Sequence, residues 1–249
     1  MFYQEQEEPT GHLINRIEER SRLSIIIPTY NEAENITELV ERISYSLSNM
    51  RFEMIIVDDG SPDGTANIAE ALNRKYGNIK VLKRPCKLGL ASAVKDGLTK
   101  AESEIIAVID ADLQHPPELL PKMYEKIREG HDLVIASRYV EGGMLGKWSL
   151  WRKLISKGAT ILVHLFFSKT RRVKDPLSGY FMFKKKVIEG VRLDPTGFKI
   201  LLEVLVKGKY DSAAEVPYTF MFRKKGKSKL SLKEMISYIL LLLKMKLRA

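Results

Sequence analysis

Two aspartates, Asp110 and Asp112, stand two residues apart just after an apolar run in the stretch AVIDADLQHPPE, and Gln114 and His115 follow them. Close carboxylates repel, and a hard divalent cation with oxygen ligands relieves the repulsion. The spacing therefore points to a cation held by Asp110 and Asp112, with the amide oxygen of Gln114 as a further donor. Mg2+ or Mn2+ is the expected ion, because each keeps open positions that phosphate oxygens can fill. Capping of helices or pairing with surface lysines is the competing explanation for the aspartates. Further acids at corresponding places, Glu32 in PTYNE and Asp58 and Asp59 in VDDGS, weigh against it. His115 beside the pair reads as a loop histidine satisfied by backbone groups.

The elements that must position these residues follow from the hydropathy pattern. Strands are expected at Leu23–Ile27, stopped by Pro28, then at Glu53–Asp59, Ile79–Arg84, Glu104–Asp112 and Asp132–Tyr139. Helices are expected between them, at about 33–47, 66–76, 88–101 and 117–130. Apolar runs separated by helices argue for an α/β fold with a mostly parallel sheet flanked by helices. Ligands gather at the carboxyl ends of such strands, where the acids stand. In an extended segment residues i and i+2 point the same way, so Asp110 and Asp112 are expected to face one ligand together. After Tyr139 the rhythm changes: a helix over 151–167, strands in SGYFMFK and AAEVPYTFMFR, a helix near 198–206 and a last helix in SLKEMISYILLLLKMKLR. The chain divides into a tail over 1–22, a catalytic domain over 23–230 and a basic, apolar carboxy-terminal helix over 231–249.

Composition narrows the function. With 249 residues, 45% hydrophobic and 29% charged, the chain is an ordinary globular one. Its one cysteine, Cys86, forms no internal disulfide and reads as a buried or idle thiol. The acidic start MFYQEQEEPTG lacks the basic and apolar regions of a secretory signal, and the longest apolar runs fall far short of the ~20 residues that span a bilayer. Neither G-x-G-x-x-G after the first strand nor G-x-x-x-x-G-K-[ST] is present, which removes the dinucleotide and P-loop motifs. The four histidines lack zinc-ligand spacing, and no G-x-S-x-G elbow appears. The net charge of +10 is concentrated. Residues 147–174 carry eight Lys/Arg and no acid, and residues 221–249 carry nine against Glu234. An anionic partner follows. A non-catalytic basic module for nucleic acid or membrane would match that charge but leaves the acidic cluster unexplained, so nucleic acid is not the expected partner.

The segments IIIPTYNEAENI, IIVDDGSPDGT, IDADLQHPPE, ASRY and FRKKGKSKL together resemble the family 2 glycosyltransferases of GT-A (Rossmann-like) fold. Within them they are most similar to the dolichol-phosphate, or polyprenyl-phosphate, mannosyltransferases. The match runs from Leu23 to about Leu232. This resemblance implies inverting transfer of mannose from GDP-mannose to dolichyl phosphate. It implies a nucleotide cradle of Pro28, Tyr30, Glu32, Val57 and Asp59, with Asp110, Ala111, Asp112 and Gln114 around the metal and diphosphate. Asp112 and Gln114 are the implied metal ligands, and Asp110, Asp112 and Arg138 the implied catalytic set. Arg223 and Lys229 would close over the nucleotide. Arg138, Arg152 and Ser156 match positions that receive the acceptor phosphate, and Asp175 in DPLSGYFMF stands on the sugar side. A polyprenyl-phosphate glucosyltransferase using UDP-glucose is the alternative on the same scaffold.

The chemistry is coherent. Two unit charges ~4 Å apart repel by about 4 kcal/mol at an effective dielectric near 20, so two anionic reactants meet only among cations. A phosphate monoester has a second pKa of about 6 and is already a nucleophile near neutrality, so no general base is expected. Lys153, Lys157, Lys169, Arg171 and Arg172 accompany ILVHLFF, and Lys244, Lys246 and Arg248 follow YILLLL. Amphipathic helices of this kind suit an anionic membrane surface, and YILLLL could instead pack under the sheet or meet a membrane-anchored partner subunit. The cytoplasmic face of a membrane is the expected location: the ER membrane in a eukaryote, the cell membrane in a prokaryote.

Overall fold

The structure, a computed structural model, describes residues 23–146, 149–194, 199–221 and 232–248. Seven strands form one sheet: β1 (Leu23–Thr29), β2 (Phe52–Asp58), β3 (Ile79–Lys83), β4 (Ile105–Val108), β5 (Leu133–Ser137), β6 (Phe181–Lys184) and β7 (Ala213–Pro217). Their order is β3-β2-β1-β4-β6-β5-β7, and every neighbouring pair is parallel except those of β6, which runs antiparallel to β4 and β5. Among the described residues seven α-helices flank it: α1 (Ile36–Ser46), α2 (Thr65–Tyr76), α3 (Leu90–Leu98), α4 (Leu120–Arg128), α5 (Leu150–Phe166), α6 (Ile200–Lys207) and α7 (Leu232–Arg248).

All seven residues of β1 are buried, because helices cover both faces of the sheet there. Alternate side chains enter different cores. Ile25 and Ile27 join Ile36, Leu39 and Ile43 of α1 and Leu120 and Met123 of α4. Ile26 joins Ala91 and Val94 of α3 and Leu201 and Val204 of α6. Each such aliphatic side chain contributes about 1.5–3 kcal/mol on full burial. Helix α1 reaches its core by placing Ile36, Leu39, Val40 and Ile43 on one stripe. Gly97 brings α3 close to the sheet: a Cβ there would stand 2.6 Å from Ile26 Cγ2.

Three expectations are corrected. Pro28 does not stop β1; it pairs with Val57 of β2 inside the strand. At that point β1 has no partner in β4, whose pairing ends at Ile26–Val108, so the missing N–H costs no ladder bond on that side. The strand expected over Glu104–Asp112 ends at Val108. Residues 111–113 turn instead, with Leu113 in the left-handed region at φ 60°. Asp110 and Asp112 therefore lie on a turn, and strand alternation does not set their directions. Finally, Cys86 is exposed, not buried.

The order reverses between β1, which leads on to β2 and β3, and β4 on its other side. The carboxyl ends of β1 and β4 thus flank the crevice where open α/β sheets take ligands. Beyond the sheet, α5, α6 and α7 share a third core of Val163, Leu202, Tyr238, Leu242 and Met245, and the Tyr238 hydroxyl donates to Ala159 O at 2.9 Å. Outward from it, Leu150, Trp151, Leu154, Ile161 and Leu165 of α5 and Ile239, Leu240, Leu243 and Leu247 of α7 are exposed. Of YILLLL, Tyr238 and Leu242 thus pack inward while Ile239, Leu240 and Leu243 are bare. No helix among the described residues is long and apolar enough to cross a membrane.

Candidate active site

The turn after β4 carries the acidic pair. Asp112 is buried, while the Asp110 side chain is 27% exposed. Asp112 Oδ1 accepts the Gln114 N–H at 3.1 Å, an Asx-type bond that holds the carboxylate against its own turn. Gln114 Nε2 donates to Met221 O at 3.1 Å, and Met221 N–H donates back to Gln114 O at 3.1 Å. A cation here would take the amide oxygen of Gln114, because the amide nitrogen is committed to Met221. The segment that carries Arg223 and Lys229 departs from this anchor; both residues lie outside the described residues. No group of three or more His, Cys, Asp or Glu able to hold a metal occurs among the described residues. The donor set is a carboxylate pair plus an amide. That suits a hard ion that keeps several positions for water or phosphate, and it is too sparse for a closed protein cage.

His115 underlies the pair and is not a backbone-satisfied loop residue. It is 3% exposed, among Tyr180, Tyr218 and Phe220 with ring centroids 5.5, 5.7 and 5.7 Å away. Its Nδ1 makes no hydrogen bond and lies 3.7 Å from Asp110 Oδ2. Burial pushes the imidazole pKa from 6.5 down to about 4, so it is neutral near pH 7. Asp110 fits there because position 179 is glycine: a Cβ would stand 2.6 Å from Asp110 Oδ2.

The ends of β1 and β2 form the other wall. Pro28 and Val57 are register partners and both are buried, and the Val57 side chain belongs to the core. Tyr30 is half-buried beneath Lys87, whose Nζ lies 3.8 Å from the ring centroid. Glu32 accepts Asn35 Nδ2–H at 2.7 Å on Oε2, and its N–H donates to Thr65 Oγ1 at 3.0 Å. Asn31 before it takes φ 58°. Not every acid at these strand ends is available to a ligand. Asp58 accepts from Thr29, from the Ser61 hydroxyl and from Ser61 N–H at 3.1, 2.6 and 2.9 Å, which closes its own turn. Asp59 accepts from Arg84 Nη1, Leu88 N–H and Gly89 N–H at 2.8, 2.9 and 2.7 Å. Asp59 therefore shapes the 84–89 loop through buried Arg84, a residue with no motif to mark it in the sequence.

Across the site, β5 ends at Ser137 and presents Arg138. Its Nε and Nη2 donate to Asp175 Oδ2 and Oδ1 at 2.8 and 2.7 Å, and its own N–H adds a bond to Oδ2 at 3.0 Å. Asp175 is fully buried, and its N–H donates to Glu215 Oε1 at 3.0 Å. Burial opposes the Arg138 charge, but hydrogen bonding and charge attraction to Asp175, with smaller help from Tyr218 and Tyr139, together outweigh it and hold the guanidinium even more firmly protonated. The planar edge expected to grip an acceptor phosphate is engaged by Asp175. Ser156 of α5 is brought near through Tyr139, whose hydroxyl donates to Ser156 Oγ at 2.7 Å. Arg152, one turn earlier on α5, is half-buried. The acidic and cationic walls share one ring: Phe220 lies 5.7 Å from His115 and 5.6 Å from the Arg138 guanidinium carbon. Sequence reasoning missed Arg84, Tyr139 and Gly179 and gave Asp175 no charge partner, since each acts through a partner distant in the chain.

The arrangement can hold a diphosphate at one wall and a second anion at the other. Residues 24–192 match the family model described as Glycosyl transferase family 2. A protein of Pyrococcus furiosus called dolichol-phosphate mannosyltransferase is 49% identical over 218 residues, 88% of this chain and 62% of that protein, so the chain spans under two thirds of that relative's length. The protein of the same name from Saccharomyces cerevisiae is 36% identical over 87% of this chain and 84% of its own length. Among solved structures, glucosyl-3-phosphoglycerate synthase from Mycobacterium tuberculosis, in complex with Mn2+, uridine diphosphate and glucosyl-3-phosphoglycerate, superposes with a TM-score of 0.67 at 19% identity. The match covers 98% of this chain and 86% of that one, and it establishes the fold.

Proposed function

The chain belongs to glycosyl transferase family 2, among the dolichol-phosphate mannosyltransferases, and on that premise we propose that it transfers mannose from GDP-mannose to dolichyl (polyprenyl) phosphate with inversion. The observation that supports this most is the juxtaposition of an oxygen-donor turn, Asp110 to Gln114, with the Arg138 guanidinium across one aromatic ring, Phe220. A Mg2+ or Mn2+ ion on Asp112 and Gln114, with Asp110 beside it, would offset the charge of the leaving diphosphate. The chain's own residues do the rest. Tyr30, Glu32 and the backbone of Pro28 and Val57 cradle the nucleotide, and the loop shaped by Asp59 borders it. Arg223 and Lys229, outside the described residues, are the further nucleotide-binding residues of this reading.

Arg138, Arg152 and Ser156 receive the acceptor phosphate, and Asp175 fixes the direction of the Arg138 fork. Arg138 contributes its charge and fixes the wall. The phosphate needs no general base. Arg152→Ala is expected to raise the acceptor KM by about 10-fold or more with kcat less affected, consistent with a charged hydrogen bond of about 1.5–3 kcal/mol. Steady-state kinetics over acceptor concentration check this, and an unchanged KM would remove Arg152 from the role.

The bare apolar stripe of α5, flanked by Lys153 and Lys157, supports peripheral attachment to an anionic membrane surface, and the cytoplasmic face is the side this reading assigns. Each basic side chain near such a surface contributes around 1 kcal/mol. Replacing Trp151 and Leu154 together by Glu is expected to cut binding to phosphatidylserine vesicles by about 10-fold or more; sedimentation with equal recovery of both proteins would refute this.

The central test is product analysis with GDP-mannose, Mn2+ and a short polyprenyl phosphate. A β-mannosyl phosphate lipid and GDP are expected. Transfer from UDP-glucose but not GDP-mannose would replace the donor, and salt-sensitive RNA binding without any metal-dependent transfer would replace the enzyme reading altogether.

A further inference from the structure

We propose that His115 is a positioning residue for Asp110: an imidazole buried beneath the turn, whose Nδ1–H supplies the hydrogen bond that aims the Asp110 carboxylate at the cation. This inference rests on the metal-dependent transfer proposed above. Four observations carry it. His115 is the one histidine beside the acidic pair, and it is almost fully buried in a cage of three aromatic rings. A buried imidazole nitrogen without a partner is costly, about 1–3 kcal/mol, and a fold retains one where it has a task. Its Nδ1 lies 3.7 Å from Asp110 Oδ2, within a small side-chain rotation of a hydrogen bond. Position 179 lacks the Cβ that would stand 2.6 Å from the same oxygen, so the backbone of the loop before β6 leaves room for Asp110 against the histidine.

The cage also explains why a histidine suits this place. Tyr180, Tyr218 and Phe220 surround the ring, and burial raises the pKa of both tyrosine hydroxyls, so neither becomes a competing anion. Carboxylates that ligate metals are commonly held by such outer hydrogen bonds, and their loss costs about 10–100-fold in metal affinity or activity.

Three variants of the full chain test this: His115→Asn, whose amide can take the place of Nδ1; His115→Gln, whose amide falls nearer the other ring nitrogen; and His115→Phe, which fills the cage without a donor. The probe is Mn2+ itself, titrated with GDP present and read from the electron paramagnetic resonance of free aqueous Mn2+, with thermal unfolding followed in parallel. His115→Asn is expected to bind Mn2+ within about threefold of the parent, and His115→Gln and His115→Phe about 10–100-fold more weakly at similar Tm. Equal Mn2+ affinity in all four proteins overturns the inference while leaving the metal site standing. Equal losses in His115→Asn and His115→Gln that track a lowered Tm also overturn it, because they mark a purely structural role. Should His115→Phe fail to fold, the comparison of Asn with Gln decides. No Mn2+ binding by the parent overturns the metal reading, and this inference with it.

Discussion

Asp112→Ala is expected to lower metal-dependent sugar transfer by about 10²–10³-fold or more, the scale on which lost stabilisation of developing charge is felt. The reasoning is local. Asp112 is the more buried member of the pair, and its Oδ1 is held by the Gln114 N–H, so its carboxylate is fixed before any ligand arrives. Removing it takes away a proposed ligand and also releases the turn that carries Gln114. The fold should tolerate this change, because the hydrogen bond to Gln114 is worth about 1 kcal/mol and a buried charge is removed with it. Circular dichroism and Tm should therefore stay near the parent while transfer collapses. Transfer within threefold of the parent, or full activity of the parent in chelator, would defeat the electrostatic basis of the proposed reaction.

Asp175→Ala is expected to act mainly on stability, and strongly. Asp175 is fully buried and accepts three hydrogen bonds from Arg138, two from the guanidinium and one from the main chain. Truncating it leaves a cation in a site where little water can replace the partner, and breaking such a buried pair costs about 3–5 kcal/mol. For a domain of this size each kcal/mol lowers Tm by about 2–4 °C, so a drop of about 6–20 °C is expected. Asp175→Asn preserves the shape and should fall between the two. A Tm within 2 °C of the parent for Asp175→Ala would show that Arg138 finds another partner. Activity of the folded fraction should also fall, since the Arg138 wall and the Tyr139–Ser156 contact both follow from β5 being pinned at this point.

These two residues differ in how far the sequence revealed them. Asp112 stands in a local pattern: an apolar run, an acidic pair and a proline-initiated helix mark a strand end facing a ligand. The extent of that strand was misread, because the left-handed backbone at Leu113 has no signature in a leucine. Asp175 was assigned to the sugar side by resemblance, and its partner lies 37 residues back in the chain. The acids at the end of β2 show the same limit. Asp58 and Asp59 look like ligand groups in sequence, and nothing there reveals that Ser61, Thr29 and Arg84 also donate to them.

From its residues alone the chain declared alternating strands and helices, a mostly parallel sheet, the strand ends at which acids collect and the surplus of cations after residue 147. These follow from periodicity and composition, which are properties of near neighbours along the chain. Only the folded chain decided that β6 enters antiparallel between β4 and β5, bringing Gly179 against Asp110 and Tyr180 against His115. It also decided which protein donors each carboxylate meets, such as Ser61 for Asp58 and Arg84 for Asp59. Burial and pairing depend on groups far apart in sequence, and a one-dimensional pattern carries no distance between them.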